Sequence, residues 1–114
     1  MTNTFTLKSG TSKGNRRIWI EGNRLLEAGW TKGDRLVRSM ELQFTSTSTV
    51  ADVIVLTRGE GKHRVSGNEG RPILDMTGKW VTDFMGENSH FRVKLESDKI
   101  TITPCDTNLE ERAK

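Results

Sequence analysis

Residues 18–28 have the sequence IWIEGNRLLEA, in which a short apolar stretch leads through Gly22 into good helix formers. Residues 74–84, LDMTGKWVTDF, repeat this order with Gly78 at the equivalent position. Apolar alternation is typical of a strand, and the residues after each glycine favour a helix. Each stretch therefore predicts a short strand followed by a short helix, and the pair predicts an internal repeat.

Both stretches continue with a turn and then two strands. In the first, the turn at Gly33-Asp34 precedes predicted strands at residues 35–44 and 51–57. In the second, after a one-residue slip, the predicted strands cover residues 91–95 and 100–103. The order strand, glycine, short helix, turn, strand, strand thus occurs twice, which favours a mainly β fold with short helices.

The first half carries further local signals. Residues 5–8 predict a short strand, residues 9–15 form a polar, glycine-containing stretch that predicts a flexible loop, and residues 17–21 predict a second strand. Residues 23–30 predict a two-turn helix with Asn23 as its N-cap, because Asn caps helices well and Gly29 favours their end. The tract at residues 45–49 predicts a mobile hairpin tip between two strands.

The chain of 114 residues is the right size for one domain, 1–114, with a small core. Its predicted parts are a first half at 16–57, a second half at 72–104 and a flexible charged tail at 105–114. Residues 58–71 are rich in glycine and charged side chains, so they predict a linker between the halves.

Charge is unevenly distributed along the sequence. The formal net charge is only +3, yet residues 1–39 hold eight basic and three acidic side chains, and the remaining residues are net acidic. A basic segment of this kind is suited to an acidic partner such as nucleic acid. The charge therefore points to the first third of the chain as the binding region.

Other residue types limit the function. Cys105 is the only cysteine, which excludes an internal disulfide, and with His63 and His90 alone to join it we expect neither a metal site nor a cofactor. No apolar run reaches the roughly 20 residues of a membrane span, and no signal peptide is evident at the first residues. These features predict a cytoplasmic protein without membrane contact.

The sequence resembles the SpoVT/AbrB-like swapped-hairpin domains, and within them the SymE-like branch. The matching residues are 18–34, followed in the second half by 77–81 and 93–104. The second half departs from the pattern at residues 84–88, which lack the Ala-Gly-aromatic and Gly-Asp elements. Since such domains dimerise by exchanging hairpins, two copies in one chain imply a duplicated swapped-hairpin AbrB-like β-barrel, a pseudo-dimer within one polypeptide.

The resemblance also implies nucleic-acid binding, because AbrB-like domains bind DNA through basic residues on a shared β-surface and on loops. SymE-like members are described as RNA-directed toxins. In this sequence a glycine-rich loop and a helix start carry cations that can follow phosphates. The alternative is that these cations merely solvate one face of a sheet. The predicted nucleic-acid-binding residues are Lys13, Arg16, Arg17, Arg24, Lys32, Arg35 and Arg38.

Catalytic and stacking roles have weaker support. His63 and His90 lie in predicted turn or linker segments, where a solvated or structural role is favoured over acid–base chemistry. Packing is the expected role of Trp19, Trp30 and Trp80, although exposed indoles can stack on bases. No nucleophile–base pair is evident, so the chain is not predicted to be an enzyme.

These observations predict a DNA-binding transcriptional or accessory regulator of bacterial or phage origin. One alternative is a SymE-like RNA-targeting toxin, for which RNA cleavage would be the activity. Another is a protein-binding inhibitor module whose basic loop contacts an acidic protein surface. The expected partner is nucleic acid, DNA rather than RNA, and the expected state is a monomeric pseudo-dimer or a homodimer.

Overall fold

The computed structural model describes residues 3–44 and 50–105, which form a mainly β fold with two short helices. The first half contains β1 (Asn3–Lys8), β2 (Gly10–Ser12), β3 (Asn15–Glu21), α1 (Asn23–Glu27), β4 (Arg35–Phe44) and β5 (Val50–Arg58). The second contains β6 (His63–Arg64), β7 (Ser66–Asn68), β8 (Arg71–Thr77), α2 (Lys79–Met85), β9 (His90–Leu95) and β10 (Lys99–Cys105).

The strands form two antiparallel sheets. The larger sheet has the order β1-β9-β10-β5-β4-β6 and curls into a half-barrel, and the smaller sheet has the order β2-β3-β8-β7. Both helices pack against β3 and β8 of the smaller sheet. One apolar core joins the sheets and helices, and its largest member, Trp30, is fully buried as predicted. Burial of this single core is the main source of stability.

The segments 3–58 and 63–105, which are longer than the predicted halves 16–57 and 72–104, contain the same types of element in the same order, and the strand pairing follows that order. The strand order of the larger sheet is symmetric in one respect. If β1 is exchanged with β6, β9 with β4, and β10 with β5, the order reads the same from the opposite edge of the sheet. The same holds for the smaller sheet when β2 is exchanged with β7 and β3 with β8. Because β1 pairs with β9, and β6 with β4, the first strand of each half belongs to the other half's hairpin.

Gly22 and Gly78 occupy similar local positions, each between a strand of the smaller sheet and a helix. Both glycines are N-caps, with φ of 92° and 136°, a region that side chains with a Cβ rarely adopt. Leu36 and Phe91, which the predicted one-residue slip pairs, are the second residues of β4 and β9 and are both fully buried.

The first helix differs from its prediction at both ends. Its N-cap is Gly22 rather than Asn23, and no side chain caps it. It ends at Glu27 because Gly29 adopts a φ of 93° and the amide of Trp30 bonds back to the carbonyl of Leu25, which carries the indole into the core.

Two predicted irregular segments contain strands. The loop predicted at residues 9–15 contains β2, which pairs with β3 through a turn at Lys13-Gly14; both turn residues have positive φ, as a tight hairpin turn with right-handed twist requires. The predicted linker at 58–71 contains β6 and β7, and Val65 between them is fully buried. Because Val65 is buried, the charged segment 58–71 contributes β6 to the larger sheet and β7 to the smaller sheet.

Three other predictions concern chain ends or tips. The hairpin of β4 and β5 is present, but its predicted mobile tip at residues 45–49 lies outside the described residues. Of the predicted tail, Cys105 ends β10 and residues 106–114 lie outside the described part. In the described ranges, no helix has the length and apolar character needed to cross a membrane.

Candidate nucleic-acid interface

The seven predicted binding residues lie on separate elements, and several are engaged within the fold. Arg17 on β3 forms two hydrogen bonds of 2.8 Å with the carboxylate of Asp75 on β8, and its guanidinium lies 4.3 Å from the centroid of the Trp19 ring. Donating to the Asp75 carboxylate raises the pKa of Arg17. This ion pair neutralises the charge of Arg17 on the outer face of the smaller sheet.

Arg16 connects β3 to the end of α2. Its Nε donates to Ser9 Oγ at 3.2 Å, and its guanidinium also donates to the carbonyls of Gly86 and Asn88. Its backbone amide donates to Thr82 Oγ1 at 2.9 Å. These contacts fix the loop that leads into β9, so Arg16 acts as a positioning residue within the fold.

Arg24 and Arg38 each cover an aromatic ring. The guanidinium of Arg24 on α1 lies 4.1 Å from the centroid of Phe5, at the rim of an open groove of about 270 Å³. That of Arg38 lies 3.8 Å from the centroid of Trp80, which also contacts His63. Both contacts are cation–π interactions that occupy the arginine heads.

The remaining three predicted residues, Lys13, Lys32 and Arg35, are exposed. Lys13 lies at the turn of the β2–β3 hairpin and Lys32 in the turn before β4. Arg35 lies directly opposite Arg64 on neighbouring strands and donates to the carbonyl of Gly61 at 3.0 Å. The predicted set is thus spread over a hairpin, a helix and the start of β4 rather than gathered in one cluster.

The structure brings together a different set of cations on the outer face of β1, β9 and β10. The inward-facing residues of these strands belong to the buried core, and the intervening residues point outward. We call this surface the basic sheet face. Its three rows, taken from β1 through β9 to β10, are Thr4, Lys94 and Thr101; Thr6, Arg92 and Thr103; and Lys8, His90 and Cys105.

The chemistry of the basic sheet face is uniform. Three of its members, Lys8, Arg92 and Lys94, are exposed cations, and none of the nine is acidic. Four are threonines, of which Thr4 is exposed, Thr101 and Thr103 are half-buried and Thr6 is buried. Glu96, beyond the end of β9, forms ion pairs of 4.0 Å with the ammonium groups of Lys94 and Lys99. The face therefore offers positive charge together with hydroxyl hydrogen-bond donors.

This face was missed in the sequence because its members are distant along the chain. Lys8 lies near the N-terminus, while Arg92 and Lys94 alternate with Val93 as solvated strand residues commonly do. Only the pairing of β1 with β9 places the three cations on one face, with Lys8 opposite His90 and diagonal to Arg92. The weak signal present in the sequence is the spacing of Arg92 and Lys94, two residues apart on a strand.

The β2–β3 hairpin, predicted as a flexible loop, adjoins this face. Ser9, directly after Lys8, donates from its amide to the carbonyl of Ser89 at 2.9 Å, directly before His90. Through Ser9 and the loop at Asn88, Arg16 holds the hairpin against the same end of β9. Lys13 at the hairpin turn thus extends from the edge of the basic sheet face.

The two histidines have different surroundings. His63 lies 5.6 Å from the ring centroid of Trp80, and burial, followed by the nearby charge of Arg38, lowers its pKa. A ring nitrogen of His90 lies 2.7 Å from the hydroxyl of Ser89. Across residues 3–44 and 50–105, no group of three or more His, Cys, Asp or Glu side chains is arranged to hold a metal ion.

Comparison with protein-family models, with curated proteins and with solved structures found no match to this chain.

Proposed function

We propose that this protein binds nucleic acid, and specifically duplex DNA, through the basic sheet face. The observation that carries the proposal is the grouping of Lys8, Arg92 and Lys94 among threonine hydroxyls with no acid in the nine positions. Lysine and arginine on an exposed surface supply the phosphate contacts that dominate affinity for nucleic acid. Threonine hydroxyls supply further hydrogen bonds to phosphate and sugar.

The spacing of these groups suits a charged backbone. Arg92 and Lys94 lie two residues apart on β9, which separates them by about 7 Å along the strand. Lys8 lies opposite His90 on the neighbouring strand, roughly 5 Å away across the ladder. Several phosphates of one strand can therefore be contacted at once without any rearrangement of the sheet.

The composition of the face favours a duplex over a single strand. Proteins that bind single strands on a sheet stack unpaired bases on exposed aromatic side chains. Apart from His90, the nine positions of the basic sheet face hold no ring, and Phe91 on the same strand is buried. A surface of cations and hydroxyls is suited to backbone contact with a duplex.

The fold proposal is that the chain is a duplicated swapped-hairpin AbrB-like barrel, a pseudo-dimer in one polypeptide. It is supported by the exchange pattern of both sheets and by the equivalent N-cap positions of Gly22 and Gly78. In that family setting, a transcriptional or accessory regulator of bacterial or phage origin is the role we propose.

The test is DNA binding by the double variant Arg92→Ala with Lys94→Ala. The matched control is Lys62→Ala with Lys79→Ala, which removes two exposed lysines outside the face. The measurement is a titration of labelled duplex DNA over a series of salt concentrations by fluorescence anisotropy.

We expect the Arg92→Ala, Lys94→Ala variant to bind DNA with an affinity lower by about tenfold or more. The slope of log K against log salt concentration should become shallower by about 1.8, because each lost phosphate contact removes about 0.9. The control should stay within about twofold of the parent. Equal loss in both variants would mean general electrostatic attraction and would reject the face. Preference for RNA would support the RNA-directed alternative instead, and retention of a protein partner without nucleic-acid binding would support the inhibitor module.

A further inference from the structure

Strand β4 has an open edge over most of its length. On one side it pairs with β5 from Leu36 to Phe44, but on the other β6 covers only Arg35 and Leu36. The equivalent strand of the other half, β9, is covered along its whole length by β1. Among the described residues, the segment from Val37 to Phe44 therefore lacks the neighbour that its counterpart has.

The open edge exposes apolar side chains beside two charged residues, Arg38 and Glu41. Met40 and Leu42 are 48% and 72% exposed, and both lie on the face of β4 that carries the buried Leu36. Natural sheet edges are commonly protected by charges, prolines or bulges, because a free edge pairs readily with another strand. This edge has neither a proline nor a bulge. Its most exposed apolar side chain is Leu42, which lies opposite Asp52 of β5, beyond the part of β5 that pairs with β10.

The direction of the backbone groups follows from one hydrogen bond. The carbonyl of Arg35 accepts from the amide of Gly59, which continues β5, so Arg35 directs its backbone groups toward β5. Backbone groups alternate in direction along an antiparallel strand. The N–H and C=O groups of Arg38, Met40 and Leu42 therefore point to the open edge.

We propose that a second copy of this chain pairs with this edge, β4 against β4, antiparallel and with Met40 facing Met40. Such a contact is isologous, because each partner presents the same strand, and it closes as a two-fold dimer. It would continue the larger sheet from one copy into the next. The inference does not depend on nucleic-acid binding.

The register follows from the neighbouring residues. Centring the pair on Ser39 would place Leu42 opposite Leu36, whose edge β6 already covers. Centring it on Glu41 would place two like charges directly opposite, which is destabilising. Centring it on Met40 places Ser39 opposite Glu41 and Arg38 opposite Leu42, so no like charges meet, and the paired positions 37–43 all lie beyond the part of the edge that β6 covers.

Site-specific cross-linking tests the register. In this arrangement the two Met40 residues form a hydrogen-bonded pair, with Cα atoms about 5.5 Å apart, which is within the range of a disulfide. In a Cys105→Ser background, Met40→Cys should form an intermolecular disulfide under mild oxidation. Asp52→Cys, at an exposed position on β5, should not.

Oligomeric state tests the edge itself. Leu42→Pro removes an N–H that points away from β5, so it should abolish the dimer while leaving the β4–β5 ladder intact. Leu42→Val keeps that N–H and should dimerise like the parent. Sedimentation equilibrium, with circular dichroism to check folding, makes both measurements.

The proposal would be overturned if the parent chain stays monomeric at all concentrations up to about 0.5 mM. The dissociation constant of a dimer would then exceed that concentration, which corresponds to a dimerisation free energy weaker than about −4.5 kcal/mol. Equal cross-linking of the two cysteine variants would also overturn it. The cross-linking comparison remains decisive if Leu42→Pro fails to fold.

Discussion

The guanidinium of Arg58 lies over the indole of Trp30, 4.0 Å from the ring centroid. The same guanidinium donates to the carbonyls of Gly29 and Ser97, each at 2.8 Å, and to the carboxylate of Asp34 at 3.1 Å. Arg58 thereby connects the turn after α1, the turn before β4 and the β9–β10 turn. Burial acts to raise the pKa of Asp34, but the Thr31 amide and Arg58 together hold it below its ordinary value.

We expect Arg58→Ala to lower the free energy of unfolding by about 2 kcal/mol, because it removes two charge-assisted bonds to carbonyls and the contact with Trp30. Arg58→Lys should recover less than half of the lost unfolding free energy. An ammonium group lacks the planar fork with which the guanidinium reaches three separate acceptors. Urea unfolding followed by tryptophan fluorescence measures both. A full recovery by lysine would show that only the charge matters.

Arg16 and Lys13 should separate a positioning role from surface charge. Arg16→Ala should cost about 1–2 kcal/mol of unfolding free energy, because it frees the loop at Gly86 and Asn88. Lys13→Ala, at an exposed turn, should change stability by less than about 0.5 kcal/mol. Thermal denaturation of the two variants is the measurement, and equal stability of both would contradict the role assigned to Arg16.

Gly67 should be intolerant of a side chain. Its φ is 85°, and a Cβ there would overlap the carbonyl oxygen of Arg71 and crowd Ile73. We expect Gly67→Ala to cost at least about 2 kcal/mol, from the left-handed backbone and the steric overlap. Gly70→Ala in the same hairpin is the control, since its nearest contact would be Asn68 Oδ1 at 3.9 Å.

His63 predicts a pH dependence of stability. Burial, and then the charge of Arg38, lowers its pKa, so the folded chain binds a proton less readily than the unfolded chain. Stability is fully present above the ordinary histidine pKa of about 6.5 and falls as the pH drops from there toward the lowered value. His63→Gln should flatten this part of the pH profile, and Arg38→Gln should flatten it partly. Chemical denaturation between pH 5 and pH 8, roughly, measures the slope; an unchanged slope in His63→Gln would contradict the assignment.

Much of the secondary structure could be predicted from local sequence. The strands around Trp19 and Leu74, and the β9–β10 hairpin, follow from apolar alternation and turn residues. The Lys13-Gly14 turn was not recognised, because positive φ at a lysine is not expected from its residue type. The strands within residues 58–71 were missed because glycine and charge dominate that segment, while the burial of Val65 depends on a distant sheet.

The candidate site illustrates the same limit. Positive charge in the first third of the sequence is real, but Arg17 is paired with Asp75, which is 58 residues away along the chain. The exposed cations of the basic sheet face come from both ends of the chain and meet only through the register of β1 with β9. A linear charge count identifies neither the pairing of Arg17 nor the proximity of Lys8 to Arg92.

The sequence by itself determined the mainly β class and the order strand, helix, strand, strand around Gly22 and around Gly78, because apolar patterning, helix starts and turns are properties of neighbouring residues. Only the tertiary structure decided which cations are neutralised, which face is basic and which edge of β4 is left open. Those properties depend on strand register and on long-range contacts, and a register is fixed by the fit of the whole core rather than by any single segment.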